Sequence, residues 1–450
     1  MSVESWNEAR LIPTSGISGA EEQERRATSA LLAVMGAVPD FSRGLLKSVG
    51  APAGTVSTYI EAPFQMGDKK WYPDGLIRVT RGKTSWTALV EVKTGRNQLG
   101  ADQLDRYLDI CRSYGFDTLI TISNEIPVAW GEHPTKIDRR KLRKVDIHHW
   151  SWTYLLSTAV VQKEHRGVSD PEQAWILGEL IRYLEHPRSG ALEFDDMGGD
   201  WVGIRQAVKA GTLRPADKGG PEIVAKFDAL LRYVSLRLGR QLGADVIHVR
   251  SRREQPNPAV RAQDLLDRLV DEGKLRGAVR IPDTVSPLSI TADLRSGVVE
   301  CSVDLPAPQE GRSKTRVNWL IRQLKDAPDD LRVEAFFVSS RGPGTAELLA
   351  SARESPELLA GDSKREIKSF RITHSVSLGT KRGRGQGAFI DSVVDGVDLF
   401  YGAVVQHLKP WSAKPPRLRD PEVDRVAPPE LSSSALSSQD DDDDPGVGQD

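Results

Sequence analysis

Apolar positions along the first half of the chain change period several times, and each change marks an element. Between Glu21 and Met35 (EEQERRATSALLAVM), Ala27, Leu31 and Val34 or Met35 fall at helical spacing, which predicts a helix with one apolar stripe. Strands are predicted near Thr55 to Ala62, Asp74 to Thr80 and Thr87 to Lys93, the last two separated by the turn-prone RGKTS. Helical spacing resumes from about Gly100 to Tyr114, with Leu104, Leu108 and Cys111 inward and Asp102, Asp105 and Asp109 outward. Asp117 to Ser123 (DTLITIS) is apolar with little alternation, the pattern of a strand covered on both faces. A basic loop from Lys136 to Lys144 leads to a short strand, VDIHHW, and to helices at Ser151 to Val161 and Pro171 to Leu184. Asp170 and Pro171 suit the cap and first position of the second helix.

The pattern then restarts. A long amphipathic helix is predicted over about Glu222 to Leu242, then a strand in DVIHVRS, a break at QPNPA and a helix from Ala262 to Glu272. Candidate strands lie near 276–281, 287–294 and 298–304, followed by a helix at Arg316 to Leu324, a strand at Leu331 to Val338 and a last helix at Phe389 to His407. From about Lys414 the chain is rich in Pro, Ser and Asp with little to bury, the composition of a disordered acidic tail. The expected class is α/β, divided into a first unit at 1–195, a second α/β unit at 196–413 and the tail at 414–450.

Charge and cysteine content change this picture little but exclude some classes. The net charge of −2 over 450 residues conceals the acid concentrated in SQDDDDDPGVGQD, so the remainder is slightly basic and a nucleic-acid partner stays open. Two cysteines, Cys111 and Cys301, are too few for a disulfide framework. The polar start MSVESWNEAR has no signal-peptide pattern, and no run reaches the roughly 20 apolar residues of a membrane span. A soluble cytoplasmic protein with no membrane partner is expected.

The candidate chemistry sits on two neighbouring strands. Glu91 follows Asp74 by seventeen residues, and Lys93 follows Glu91 by two. Strand side chains alternate, so Glu91 and Lys93 share a face, beside a second carboxylate from the adjacent strand. The apolar run Thr87-Ala88-Leu89-Val90 leads into them, placing charge at the end of a buried strand. Two carboxylates with a backbone carbonyl between them suit Mg²⁺ (or Mn²⁺), and Lys93 can orient a bound water or offset charge on a phosphate. Taken alone, Asp and Glu-x-Lys also fit a surface hairpin with a cross-strand salt bridge.

This Asp…Glu-x-Lys pattern, within an order of helix, three strands, helix and strand, resembles the PD-(D/E)XK nuclease superfamily with its restriction-endonuclease-like core. Gln103-Leu-Asp-Arg-Tyr107 on the next helix is similar to the Gln-x-x-x-Tyr motif of RecB-like members; residues four apart share a helix face. The resemblance covers roughly residues 20 to 160. It implies that Asp74, Glu91 and the Val92 carbonyl hold metal, with Glu24 as a helical ligand, and that Asp74, Glu91, Lys93, Gln103 and Tyr107 form the catalytic set. The implied activity is metal-dependent phosphodiester hydrolysis, with DNA the expected nucleic acid, in restriction, phage defence or repair. The alternative is a catalytically inactive nuclease fold that serves as a nucleic-acid-binding or assembly scaffold.

Weaker signals surround this set. Arg96 and Asn97 are candidates for phosphate contact, and Arg139, Arg140, Lys141, Arg143 and Lys144 for tracking a nucleic-acid backbone, against the plainer reading of a solvated charge run. His148 and His149 lie among Trp150 and Trp152 without Cys or His at ligand spacing, which favours packing. In the second half, Lys381, Arg382 and Arg384 form a glycine-rich basic loop, and Arg312, Lys314, Arg316, Arg322 and Lys325 cluster around Trp319. Nucleic-acid binding, partner sensing and homo-oligomerisation are the alternatives for that half. Asp293 and Asp304 resemble the acids of the first half, without a following lysine.

Overall fold

The computed structural model of the chain describes residues 7–8, 20–127, 132–138, 140–255, 257–340, 342–361 and 365–413. The expected tail at 414–450 and Arg139 therefore lie outside the described residues. The chain divides into two units at Pro410/Trp411, and all three sheets among the described residues belong to the first. No single helix among the described residues is long and apolar enough to cross a membrane.

The first half is built in this order: β1 (Asn7–Glu8), α1 (Ala20–Ala37), α2 (Pro39–Ser48), β2 (Thr55–Ile60), β3 (Phe64–Met66), β4 (Lys69–Trp71), β5 (Gly75–Arg81), β6 (Thr84–Val92), α3 (Ala101–Tyr114), β7 (Thr118–Ser123), β8 (Asp146–Ser151), α4 (Trp152–Val160) and α5 (Pro171–Glu185). Its mixed sheet has the order β1-β2-β5-β6-β7-β8, antiparallel from β1 to β6 and parallel from β6 to β8. β3 and β4 form a separate hairpin.

Strand alternation explains the layers. Trp86, Ala88, Val90 and Val92 of β6 pack with α1, α2, α4 and α5, whereas Leu89 packs with Leu104, Leu108 and Cys111 of α3 on the other face. β6 is thus sandwiched, which accounts for its unbroken burial from Trp86 to Val92. α3 ends at Gly115, which takes a left-handed conformation and donates its N–H to Cys111 O. Asp170 caps α5 by accepting from the N–H groups of Glu172 and Gln173, with Pro171 at the first position.

The second half continues with α6 (Trp201–Ala210), α7 (Gly219–Leu242), β9 (Ile247–His248), α8 (Pro258–Asp271), β10 (Lys274–Arg280), β11 (Leu288–Asp293), β12 (Val298–Pro306), α9 (Ser313–Gln323), β13 (Arg332–Phe337), β14 (Thr345–Leu348), α10 (Leu349–Glu354), α11 (Glu357–Ala360), β15 (Ile367–Ser377) and α12 (Phe389–Ala403). Its separate sheet is antiparallel throughout, in the order β14-β13-β15-β12-β11-β10-β9. Val299, Cys301 and Val303 of β12 and Phe370 and Ile372 of β15 share a core with Phe227 and Leu230 of α7 and Val393 and Val397 of α12. Gly277 permits a close approach of α7 to β10, since a Cβ there would lie 2.1 Å from Leu231 Cδ1. The expected boundary near 195 falls between α5 and α6, inside the same compact unit.

Several elements depart from the sequence expectations. The helices α2 and α6, the β3–β4 hairpin and β15 were absent from them, and the last helix stops at Ala403 rather than His407. The expected break at QPNPA is instead the start of α8, where Asn257 caps and Pro258 occupies the first turn. Asp105 and Asp109, expected outward on α3, are half-buried and both face Lys141.

Candidate active site

Asp74 directly precedes β5, Glu91 lies near the end of β6, and Lys93 is one residue beyond it. In the β5–β6 ladder Gly75 pairs with Val90, so one further step brings Asp74 to the level of Glu91. The Val92 N–H donates to Asp74 Oδ2 at 2.7 Å, tying the two strand ends together. Lys93 Nζ donates to Glu91 Oε1 at 2.7 Å, to Val92 O at 3.1 Å and to Glu24 Oε2 on α1 at 3.3 Å. From α3, Gln103 Nε2 donates to the same Glu91 Oε1 at 2.7 Å and to Tyr107 Oη at 3.3 Å. Asp74, Glu91, Lys93, Gln103, Tyr107, Glu24 and the Val92 carbonyl therefore form one connected group. Glu91 is 1% exposed, which removes the surface-hairpin reading of Glu-x-Lys.

Burial governs the electrostatics. Asp74 as a whole residue is half-buried, yet its carboxyl is desolvated, and burial together with the Glu91 charge raises its pKa well above the usual carboxylate range. Burial likewise raises Glu91, against the opposing effect of Lys93. For Lys93, burial acts to lower the pKa, but the Glu91 and Asp74 carboxylates outweigh it and hold the ammonium charged. Burial and the Glu91 charge raise Tyr107, so its phenol stays neutral.

These features bear on whether a divalent cation fits. Glu91 Oε2 is buried and meets no N–H or hydroxyl donor, although Oε1 has two, and the Glu91 and Asp74 carboxyls share a side-chain hydrogen bond that raises Asp74 and lowers Glu91. Two buried carboxyls held against each other are a pair that a hard cation would satisfy. Among the described residues no three His, Cys, Asp or Glu side chains close on one point. Glu24 reaches the group only through Lys93 and the loop after β6, so the direct set is Asp74, Glu91 and the Val92 carbonyl. That small oxygen set fits Mg²⁺, which keeps several of its waters.

Several residues that frame the site carried no sequence signal. The Lys93 backbone is held on both sides, its N–H donating to Ile122 O at 2.7 Å and its carbonyl accepting from Trp152 Nε1 at 2.9 Å. The loop after Lys93 is clasped by the segment following α5. Gly190 O accepts from Gly95 N at 2.9 Å and from Asn124 Nδ2 at 2.8 Å, and Asn124 Oδ1 accepts from Leu192 N. Gly190 has φ +81°, and a Cβ there would lie 2.6 Å from Gln23 Cδ and 2.7 Å from Thr94 Cβ. These partners are 66 residues or more apart in the chain, so no local pattern announces them.

The remaining candidates scatter. Asn97 and Arg96 are both exposed on the loop after β6, and Asn97 Nδ2 donates to Glu24 Oε1 at 2.6 Å. Arg140 is exposed, Lys141 is paired with Asp109 at 2.9 Å, and Arg143 lies in a short 3₁₀ turn. In the second half Arg384 is engaged internally, with Asp391 at 2.6 Å and Glu193 at 3.4 Å; Lys381 Nζ donates to Gln386 O, and Arg382 lies 3.8 Å from Asp196. Arg384 is thus neutralised within the chain, while Lys381 and Arg382 are exposed. Arg316 is buried and donates to the carbonyls of Gly311, Ile367 and Gln309, so it braces α9 rather than adding surface charge. His149 is packed as expected, with Thr121 Oγ1 2.9 Å from Nδ1 and burial pushing its pKa down to about 3. Asp293 caps a turn and pairs with Lys274, whereas Asp304 pairs with Arg371 towards the opposite end of the β11–β12 hairpin. The two acids do not converge.

No family model, curated protein or solved structure matches the chain.

Proposed function

We propose that the first half is a restriction-endonuclease-like core and that the chain is a metal-dependent nuclease, hydrolysing phosphodiester bonds of nucleic acid, with DNA the expected substrate. The observation that carries this reading is that Lys93 and Gln103, from a loop and a helix, both donate to the buried Glu91 carboxylate, while Asp74 is tied to the N–H of the next residue, Val92. Asp74, Glu91 and the Val92 carbonyl would hold Mg²⁺ (or Mn²⁺). Bound there, the ion would supply a Lewis acid and a water of lowered pKa.

The chain's own groups have separable tasks. Gln103 fixes the rotamer of Glu91 through Oε1, leaving Oε2 directed elsewhere. Lys93 keeps its proton, and its ammonium is the cation available to negative charge gathering on a phosphate. Tyr107 supports Gln103 from one helical turn away. Asn97 and Lys93 together orient Glu24.

The non-catalytic scaffold reading is favoured by one observation: Lys93 already neutralises Glu91 and bridges to Glu24, so the group is satisfied largely from within. Incubating the full chain with linear, circular and single-stranded DNA and with RNA, in Mg²⁺ or Mn²⁺, separates the two. Cleavage that Asp74→Ala and Lys93→Ala each reduce by a factor on the order of 10² or more is expected. Wild-type protein inert on every substrate, or variants as active as wild type, refutes the catalytic reading.

A further inference from the structure

The hairpin β3–β4 leads through Tyr72 and Pro73 directly into the acidic group. Lys69 and Lys70 are exposed on β4, Trp71 is half-buried, and Tyr72 is 55% exposed. Tyr72 precedes Asp74 by two residues, so its backbone lies within about 7 Å of it along the chain. From the opposite side, the exposed Arg106 of α3 places its guanidinium 5.0 Å from the Trp71 ring centre. Arg106 is three residues beyond Gln103 and shares its side of the helix, and Gln103 donates to Glu91. An exposed aromatic ring and Arg106 thus lie on the way to the acids, with Lys69 and Lys70 further out along the hairpin beside Asp68, and Asp102 in the first turn of α3.

We propose that this hairpin and Arg106 form a guide for a single nucleic-acid strand, with Tyr72 stacking an unpaired base and Lys69, Lys70 and Arg106 holding its phosphates. The inference deepens the nuclease reading and rests on it for the site towards which the strand is led. Stacking on an exposed ring requires a base free of its partner, and basic groups interleaved with aromatics are the surface that tracks an unpaired backbone. The shared chemistry is an unpaired base on a phosphodiester backbone, which both DNA and RNA strands provide.

Binding of fluorescent dT20, rU20 and a blunt 20-base-pair duplex by the full chain, measured by anisotropy in EDTA, tests this without any cleavage. At least one single strand is expected to bind about tenfold or more tighter than the duplex, the two strand arms showing which polymer is preferred. Tyr72→Ala is expected to weaken that binding by about 5- to 100-fold, while Tyr72→Phe, which keeps the ring, stays near wild type. Arg106→Gln is expected to lower the dependence of log affinity on log salt by about one contact. Trp175→Ala, removing an aromatic residue 60% exposed on α5, serves as the unaffected control. Equal affinity for duplex and single strands, no binding to either strand, or a neutral Tyr72→Ala overturns the proposal. Because metal is absent, strand binding without later cleavage in Mg²⁺ refutes the nuclease reading alone, and duplex cleavage with a neutral Tyr72→Ala refutes the guide alone.

Discussion

Replacing Lys93 by Met removes the cation facing Glu91 while keeping a long side chain in place. Glu91, 1% exposed, would lose the donor that sits 2.7 Å from Oε1 and keep Gln103 and its hydrogen bond with the Asp74 carboxyl. Removing one member of a buried ion pair costs about 3–5 kcal/mol; with Gln103 still donating and the Lys93 side chain 16% exposed, the lower end, about 3 kcal/mol, applies. The loss should depend on pH. Burial already raises Glu91 above its ordinary value of 4.5, and Lys93 opposes that rise, so Lys93→Met lifts the folded-state pKa further. A carboxyl whose pKa is higher folded than unfolded favours the fold when protonated. That contribution is complete below the unfolded pKa and is lost as pH rises through the folded one. The deficit of Lys93→Met is therefore largest near pH 8 and shrinks towards pH 5, by about 1.4 kcal/mol for each unit of further rise. Urea unfolding of the full chain at both pH values measures it. The Glu91→Gln/Lys93→Met double variant, which leaves no buried charge at this pair, is expected to recover about 1–2 kcal/mol at pH 8. A deficit independent of pH, or a double variant no more stable than the single, refutes the argument.

Gln103→Ala should lower cleavage by about 10- to 100-fold and, by taking a donor from the buried Glu91, cost about 1–3 kcal/mol in thermal unfolding; unchanged kcat/KM in a steady-state assay would contradict this. Gly190→Ala forces a Cβ into a left-handed position already crowded by Gln23 and Thr94, and is expected to cost about 1–3 kcal/mol in thermal unfolding and to reduce cleavage in parallel.

What the sequence reveals here is what local periodicity can carry. The period-two rule is enough to put Glu91 and Lys93 on one face, and the four-residue spacing of Gln103 and Tyr107 puts both on one side of α3. The β15 strand was illegible because Lys368 and Arg371 interrupt its apolar residues, and its alternation slips between Ile367 and Phe370, opposite the bulge at Phe336/Phe337. The helix α2 is short and contains Ser42, Gly44 and Ser48, so its buried Phe41, Leu45 and Leu46 resemble a loop with scattered apolar residues. Basic character proved a poor guide to available charge: Arg384, Arg316 and Lys141 are committed to partners that lie far along the chain or in another element. The Trp152 bond to Lys93 and the Gly190 clasp are tertiary facts, set by packing alone.

That clasp also orders events during synthesis. Every proposed ligand lies before residue 108, and the mixed sheet is complete by Ser151, yet the carbonyl that joins the loops after β6 and β7 arrives only with Gly190. A nascent chain emerging from the ribosome would therefore complete the sheet that carries the acidic group about forty residues (190 − 151 = 39) before its supporting loop is fastened. At roughly 5–20 residues per second that interval lasts a few seconds. Over that time the pieces of the site exist without their final geometry, and assembly of the centre is coupled to emergence of the segment that leads into the second half.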